Sequence, residues 1–314
     1  MSMNLEQLRG FLEVARVGHF TRAAEALHLT QPSLSRQIAT LEHDLGSELF
    51  HRARGHITLT AAGETLLPLA RRMLADAETV RREMAELAGL QRGRVRLGAT
   101  PTLCVSIVAD AVAAFHTAHP GIELHLTERG SRGLVEELVS GALDLALVIT
   151  SDAHPATAPS LHRSRLLTEE LVVVGGGESP FGGRTTVTLQ DLALMPQIAF
   201  PASYDLRGTM DEAFRAEGLA PTVVLEGAEM DAVLRFVELE MGVALVPAMV
   251  LKDRPGLSSV RLSEPRLTRT ISLARRQDVN LTRAAAEMQR TILSTADALA
   301  DGQGGTGGLV TRAG

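Results

Sequence analysis

The chain has 314 residues, 45% of them apolar, enough for two or three domains that each bury a core. Its 31 Lys and Arg residues against 37 Asp and Glu give a formal charge of −6, which excludes a uniformly basic coat for nucleic acid. A lone cysteine, Cys104, excludes an intramolecular disulfide framework and fits a cytoplasmic protein. The charged start MSMNLEQLRGFLE does not read as an export leader. The longest apolar stretch, 241–251, is shorter than the ~20 residues that span a bilayer, so no membrane partner is expected.

Asn4 and Gln7 make an N-x-x-Q capping pair, and Met3 is placed to staple onto Leu8. A helix is therefore predicted from Leu5 to a stop near Gly18, with Leu5, Leu8, Phe11, Leu12 and Ala15 inward. A second helix over 21–27 carries Ala23 and Ala24, small enough for another helix to approach. After the turn His28-Leu29-Thr30, Thr30 is the predicted cap and Pro32 falls in the first turn, where its missing N–H is harmless. The third helix should run to about Leu45 and end at Gly46. On a helical wheel Leu34, Ile38, Leu41 and Leu45 share one face, opposite Pro32, Ser33, Arg36, Thr40 and His43. Two helices joined by a tight turn, the second starting with Gln, Ser and Arg, suit entry into a DNA major groove; an ordinary solvated face would have the same spacing. Residues 49–60 alternate about Gly55 and read as a hairpin. Arg52 and Arg54 at its tip lie either against phosphate or a minor groove, or in solvent.

Three blocks agree in register. They are Phe20-Thr21-Arg22-Ala23-Ala24-Glu25-Ala26-Leu27, Thr30-Gln31-Pro32-Ser33-Leu34-Ser35-Arg36-Gln37-Ile38, and Leu41-Glu42-x-x-Leu45-Gly46-x-x-Leu49-Phe50-x-Arg52 with Leu59-Thr60-x-Ala62-Gly63 after it. Together they closely resemble LysR-type transcriptional regulators. The resemblance implies a winged helix-turn-helix over 3–60, with Gln31, Pro32, Ser33, Ser35 and Arg36 facing DNA and Arg52 and Arg54 in the wing. Thr21 and Thr40 complete the candidate contact set. Residues 1–60 hold six arginines and six acids, so this reader is neutral and the excess acid lies in 61–314. Such a protein should depend on placed contacts and on pairing of its readers rather than on bulk attraction.

Leu66, Ala70, Met73, Ala77, Val80, Met84 and Leu87 follow a heptad spacing over 61–90, which calls for a partner helix or for packing on the chain's own core. Pro68 is expected to kink or loosen the early turns. The resemblance implies that this linker pairs two subunits. A homodimer would meet an inverted-repeat operator in double-stranded DNA. The resemblance further implies assembly to a homotetramer and contact with RNA polymerase.

Beyond residue 92, strands and helices alternate. Strands are predicted over 95–99, 122–127, 143–149, 171–174, 197–200, 222–225, 243–246 and 269–274, with helices over 103–116, 132–140, 205–217, 231–240 and 281–299. The fold class is α+β: the winged reader, a long linker helix, and a two-lobed α/β effector domain. The weaker resemblance in Pro120-Gly121-Ile122, Gly141-x-Leu143-Asp144-Leu145-Ala146 and Gly242-Val243-x-Leu245-Val246-Pro247 likens that domain, residues 92–300, to type 2 periplasmic binding proteins. Lobe I is expected over about 92–165 and 268–300, lobe II over about 166–267, and a disordered tail over 301–314.

Ligands favour crevices between such lobes. Thr100, Pro101 and Thr102 end one strand and open a helix, and Ala202 and Ser203 precede another, so two helix starts would hold a small carboxylate or similar polar metabolite; N-capping alone would look the same. Thr127, Ile149, Thr150 and Gly227 are further candidates for this wall; Arg207 reads as a surface residue first and as a counter-charge second. A small-molecule co-inducer is expected, and no cofactor. Gly175 to Gly177 and Gly182-Gly183 lack a phosphate-binding spacing, His116 and His119 lack a third metal ligand, and Cys104 sits among apolar residues as a core thiol. Catalysis is not indicated. The competing class is a solute-binding or enzymatic α/β protein whose first helices serve only to pair subunits.

Overall fold

The computed structural model describes residues 3–53, 56–87, 93–150, 160–177, 180–202, 204–227, 229–252, 254–302 and 308–313. They form two units, one from residues up to 91 and one from residue 92 onward apart from a short turn.

The first unit holds α1 (Leu5–Val17), α2 (Phe20–Ala26), α3 (Gln31–Leu45), β1 (Phe50–Ala53), β2 (His56–Leu59) and α4 (Ala61–Leu87). The capping pair forms in both directions: the Gln7 N–H donates to Asn4 Oδ1 at 3.0 Å and the Asn4 N–H to Gln7 Oε1 at 2.9 Å. Thr30 occupies the cap position of α3, but its side chain makes no cap hydrogen bond, contrary to expectation. Gly46, at φ 68°, ends α3 in the left-handed region that glycine enters without strain. Leu8, Phe11, Val14, Ala23, Ala24, Leu34, Ile38, Leu41, Leu49 and Phe50 build the core. Leu45 is instead 41% exposed, because the last residue of α3 has passed beyond that core. β1 and β2 pair antiparallel, Phe50 opposite Leu59 and Ala53 opposite His56. A Cβ at Gly63 would lie 2.3 Å from the Leu49 carbonyl oxygen, so glycine is what lets α4 pass against the hairpin.

α4 runs for 27 residues with Pro68 inside it. The heptad seam divides. Leu66 and Ala70 are buried in the reader's own core, whereas Met73, Val80 and Met84 are exposed, as is Leu69. The Leu87 side chain lies outside what is described.

The second unit is built in chain order from β3 (Arg94–Ala99), α5 (Pro101–Cys104), α6 (Ile107–Ala118), β4 (Glu123–Glu128), α7 (Ser131–Val139), β5 (Leu145–Thr150) and β6 (Leu161–Gly176). There follow β7 (Thr186–Val187), α8 (Leu189–Leu194), β8 (Pro196–Ala199), α9 (Asp205–Ala216), β9 (Thr222–Glu226), α10 (Met230–Glu238) and β10 (Ala244–Pro247). A 3-10 turn (Ala248–Leu251), β11 (Leu257–Leu262), β12 (Thr268–Arg276), α11 (Arg283–Ala300) and β13 (Val310–Arg312) complete it. In lobe I, β4, β3 and β5 are parallel and β12 runs antiparallel to β5. β6 then joins the lobes: residues 161–170 pair with β12, and Leu171 onward pairs with β10 and β11. The chain returns to lobe I between β11 and β12. Each lobe has its own apolar core.

Four expectations are corrected. The lobe boundary falls near Glu169 to Leu171 rather than at 165/166, and the crossing strand starts ten residues before the predicted 171, because His162, Arg163, Ser164 and Arg165 hide its apolar alternation. The helix expected over 103–116 is two helices, broken at Val105 and Ser106, where Ser106 Oγ donates back to the Thr102 carbonyl at 2.8 Å. The tail is not wholly disordered: Val310, Thr311 and Arg312 pair with Glu169, Thr168 and Leu167 on β6, Val310 is buried, and Arg312 meets Asp297 at 3.0 Å. Residues 303–307 lie outside the described residues.

Candidate functional site

Six candidate DNA contacts sit on α3. Gln31, Pro32 and Arg36 are exposed and Ser33, Ser35 and Thr40 are half-buried, on a helix whose other side buries Leu34, Ile38 and Leu41. Gln31 Nε2 donates to Ser35 Oγ at 2.9 Å, holding two polar groups of the first turns together, and Thr40 Oγ1 donates to the Arg36 carbonyl at 2.9 Å. Thr21 is exposed in the first turn of α2.

The reader's neutrality conceals a sorting of its charges. Arg9 pairs with Glu6 and Arg16 with Glu13 along α1 itself, and the Glu42 carboxylate accepts the Leu49 N–H at 2.9 Å. Arg22 and Arg36 are exposed and make no ion pair among the described residues. Arg52 is placed on β1 opposite Ile57, with its side chain not described, and Arg54 lies outside the described residues.

In the second unit a cavity of about 240 Å³ opens between the lobes. Thr100, Pro101 and Thr102 after β3, Glu128 at the end of β4, Gly130, Ile149 on β5 and Arg269 on β12 form the lobe I wall, facing Tyr204, Asp205 and Leu206 at the start of α9 and Glu229 before α10. Of the sequence candidates, Thr100, Pro101, Thr102 and Ile149 line it. Thr127, Thr150, Ala202 and Gly227 do not, and Ser203 lies outside the described residues. The Thr150 hydroxyl instead shares a hydrogen bond with Ser272 Oγ at 3.1 Å, and the Gly227 N–H donates to the Ala199 carbonyl at 3.2 Å. Arg207 supplies no counter-charge, since it is held by Asp211, Glu226 and the Phe200 carbonyl.

The floor of the cavity is a buried polar network. Arg269, 7% exposed, donates from Nε to Glu169 Oε2 at 2.8 Å and from Nη1 to Thr102 Oγ1 at 2.6 Å. Glu169, fully buried, also accepts the Met249 N–H at 2.6 Å. Two buried polar atoms on this wall, Arg269 Nη2 of the network and Thr100 Oγ1 beside it, have no hydrogen-bond partner among the described residues. Buried polar groups are nearly always satisfied, so these two orphans on one cavity wall are open to a water or another hydrogen-bonding molecule. Across the cleft, Ser131 at the start of α7 donates its hydroxyl to Asp205 Oδ2 at 2.6 Å and accepts the Ile149 N–H at 2.9 Å.

The lobe II rim is acidic. Tyr204, stacked on Phe200 at 5.2 Å, donates its hydroxyl to Glu229, and burial together with this carboxylate pushes its phenol well above the ordinary value. Cys104 is half-buried rather than in the core. Burial first, then Glu128 beside it, pushes its thiol up to about 12, so it is no nucleophile near neutrality. Glu128 and Glu229 were not among the sequence candidates, since a carboxylate is unsuited to holding an anion, whereas Tyr204 belongs to the helix-start cluster of Ala202 and Ser203.

Two family descriptions cover nearly the whole chain: "Bacterial regulatory helix-turn-helix protein, lysR family" matches residues 5–64, and "LysR substrate binding domain" matches residues 88–297. The chain belongs to the LysR family. It is 33% identical to the HTH-type transcriptional regulator YybE of Bacillus subtilis (strain 168), over 87% of this chain and 92% of that one. It is also 33% identical to a probable nitrogen assimilation transcriptional activator of Synechococcus elongatus, over 86% and 88% of the two chains. Among solved structures, full-length CbnR complexed with its target DNA superposes with a TM-score of 0.66 at 25% identity, covering 93% of this chain and 100% of that one. This LysR-family chain is a DNA-binding transcription regulator that carries an effector-binding domain. No helix among its described residues is long and apolar enough to cross a membrane.

Proposed function

We propose that this regulator works in the cytoplasm as a homodimer that assembles to a homotetramer, reading an inverted-repeat operator through Gln31, Pro32, Ser33, Ser35 and Arg36 of α3, with Thr21, Thr40 and the wing arginines Arg52 and Arg54 beside it. Pairing runs through the exposed Met73, Val80 and Met84 of α4, which one subunit leaves uncovered. Two readers held at a fixed spacing gain affinity for a repeated site that neither neutral reader has alone.

The inter-lobe cavity takes a small polar metabolite bearing a carboxylate, and its binding alters the lobes and hence the spacing of the paired readers and their contact with RNA polymerase. The observation that carries this reading is the pair of orphaned donors, Thr100 Oγ1 and Arg269 Nη2, on one wall of the cavity. The protein acts by binding, as the regulators it resembles do.

A gel-shift titration on the DNA upstream of its own gene, with and without small carboxylates, tests it. Salt-sensitive, sequence-dependent binding that a ligand modulates is the expected result. A Thr100→Val protein that keeps the full ligand response would remove that hydroxyl from the site.

A further inference from the structure

The cavity's charges are distributed unequally, and this narrows the ligand class. Among the described residues its one basic side chain, Arg269, is already answered by Glu169. Asp205 is met by the Ser131 hydroxyl and N–H and lies in the first turn of α9, where a negative charge is favoured. Glu128 and Glu229 are different. Both are exposed, neither has a Lys, Arg or His partner among the described residues, and Glu229 precedes α10 without capping it. Glu128 on the lobe I wall faces Tyr204 and Glu229 on the lobe II side, so the two carboxylates look onto the same cavity from opposite lobes. A plain carboxylate entering here would satisfy the orphaned donors at the floor but would meet two like charges that no cation among the described residues balances.

Resting on the reading that this cavity is the effector site, we propose that the effector is a zwitterion of the amino-acid class, its carboxylate at Thr100 Oγ1 and Arg269 Nη2 and its ammonium group at Glu128 and Glu229. The floor donates and the rim accepts, so the two poles of the cavity match the two ends of such a molecule. The volume of about 240 Å³ is below the ~300–1,000 Å³ of drug-sized pockets, which fits a free amino acid and not a peptide.

The test is a thermal-shift screen of the full-length protein with the common L-amino acids, each beside the carboxylate that lacks its amine, followed by titration calorimetry of the responding pair. At least one amino acid should bind ten times more tightly than its deaminated partner. Glu229→Gln and Glu128→Gln should each narrow that ratio to near one, while the unliganded variants keep the parent's thermal midpoint. Carboxylates that bind as well as the amino acids, or a ratio that survives both substitutions, would overturn the zwitterion assignment and leave the cavity as the effector site. No response to either class would overturn both.

Discussion

Ser131 and Asp205 join the two lobes: the serine hydroxyl on α7 donates to the aspartate at the head of α9 across 2.6 Å, while the same oxygen receives the Ile149 N–H. Ser131 is buried, so neither bond is replaced by water when the side chain is cut back. Ser131→Ala should lower stability by about 1–3 kcal/mol in urea unfolding. It should also loosen the lobes, read as an increased radius in small-angle scattering. A variant with the parent's midpoint and radius would show that the contact holds nothing.

Arg36 stands exposed on α3 with no carboxylate partner among the described residues. Arg36→Ala should weaken binding to the operator by about 1–3 kcal/mol if the guanidinium reads a base, and should relax sequence preference at one position. If it meets only phosphate, the loss would be uniform across sequences and the salt slope would fall by about one. Competition gel shifts at two salt concentrations separate these outcomes.

Glu169 and Arg269 form an ion pair with almost no access to water. Removing one partner strands the other charge, so Arg269→Met should cost about 3–5 kcal/mol. Replacing both residues with apolar ones should cost less than the single change. Denaturant melts of the two variants decide it; equal losses would mean that the pair is not coupled.

On the linker, Val80→Glu or Met84→Glu should convert the assembly to smaller species in light scattering while the reader stays folded, because Leu66 and Ala70 and not these residues complete its core. Operator affinity should fall steeply as the two readers lose their shared attachment. An unchanged mass would place the subunit interface elsewhere.

The Cys104 thiol, held up to about 12 by burial and by Glu128, binds its proton more tightly folded than unfolded. Its contribution to stability is therefore complete below the ordinary cysteine value and is lost as pH rises from there through about 12. Alkylation should be slow at pH 8 and accelerate only in strong alkali, and Glu128→Gln should move that acceleration to lower pH. Rapid labelling of the native protein at pH 8 would contradict this.

The reader was legible because its signals are local. Asn4 with Gln7, Pro32 in a first turn and Gly46 at a helix end each act within a few residues, and the structure uses all three. Lobe II was read less well: β7, α8 and β11 were not predicted, and the crossing strand β6 starts with polar residues that disguise it. The cavity was half legible. Thr100 and Thr102 could be found at a strand end, but Arg269 reaches Glu169 from a hundred residues away, and no pattern within either segment announces that meeting. Glu128 directly follows the candidate Thr127, but a carboxylate is unsuited to holding an anion; Tyr204, the sole tyrosine, was legible as part of the helix-start cluster with Ala202 and Ser203.

The crossing of β6 sits where its partner changes from β12 to β11 and β10, between Glu169 and Leu171. Only this strand and the β11 to β12 return tie the lobes covalently, so any rotation between them has its fulcrum here. Glu169 and Arg269 face each other in register at that fulcrum, and the guanidinium also forms the cavity floor. A molecule that takes up the free N–H of Arg269 therefore grips the axle and not only the jaws. Small differences in where its anionic end settles would be turned into differences of angle between the lobes.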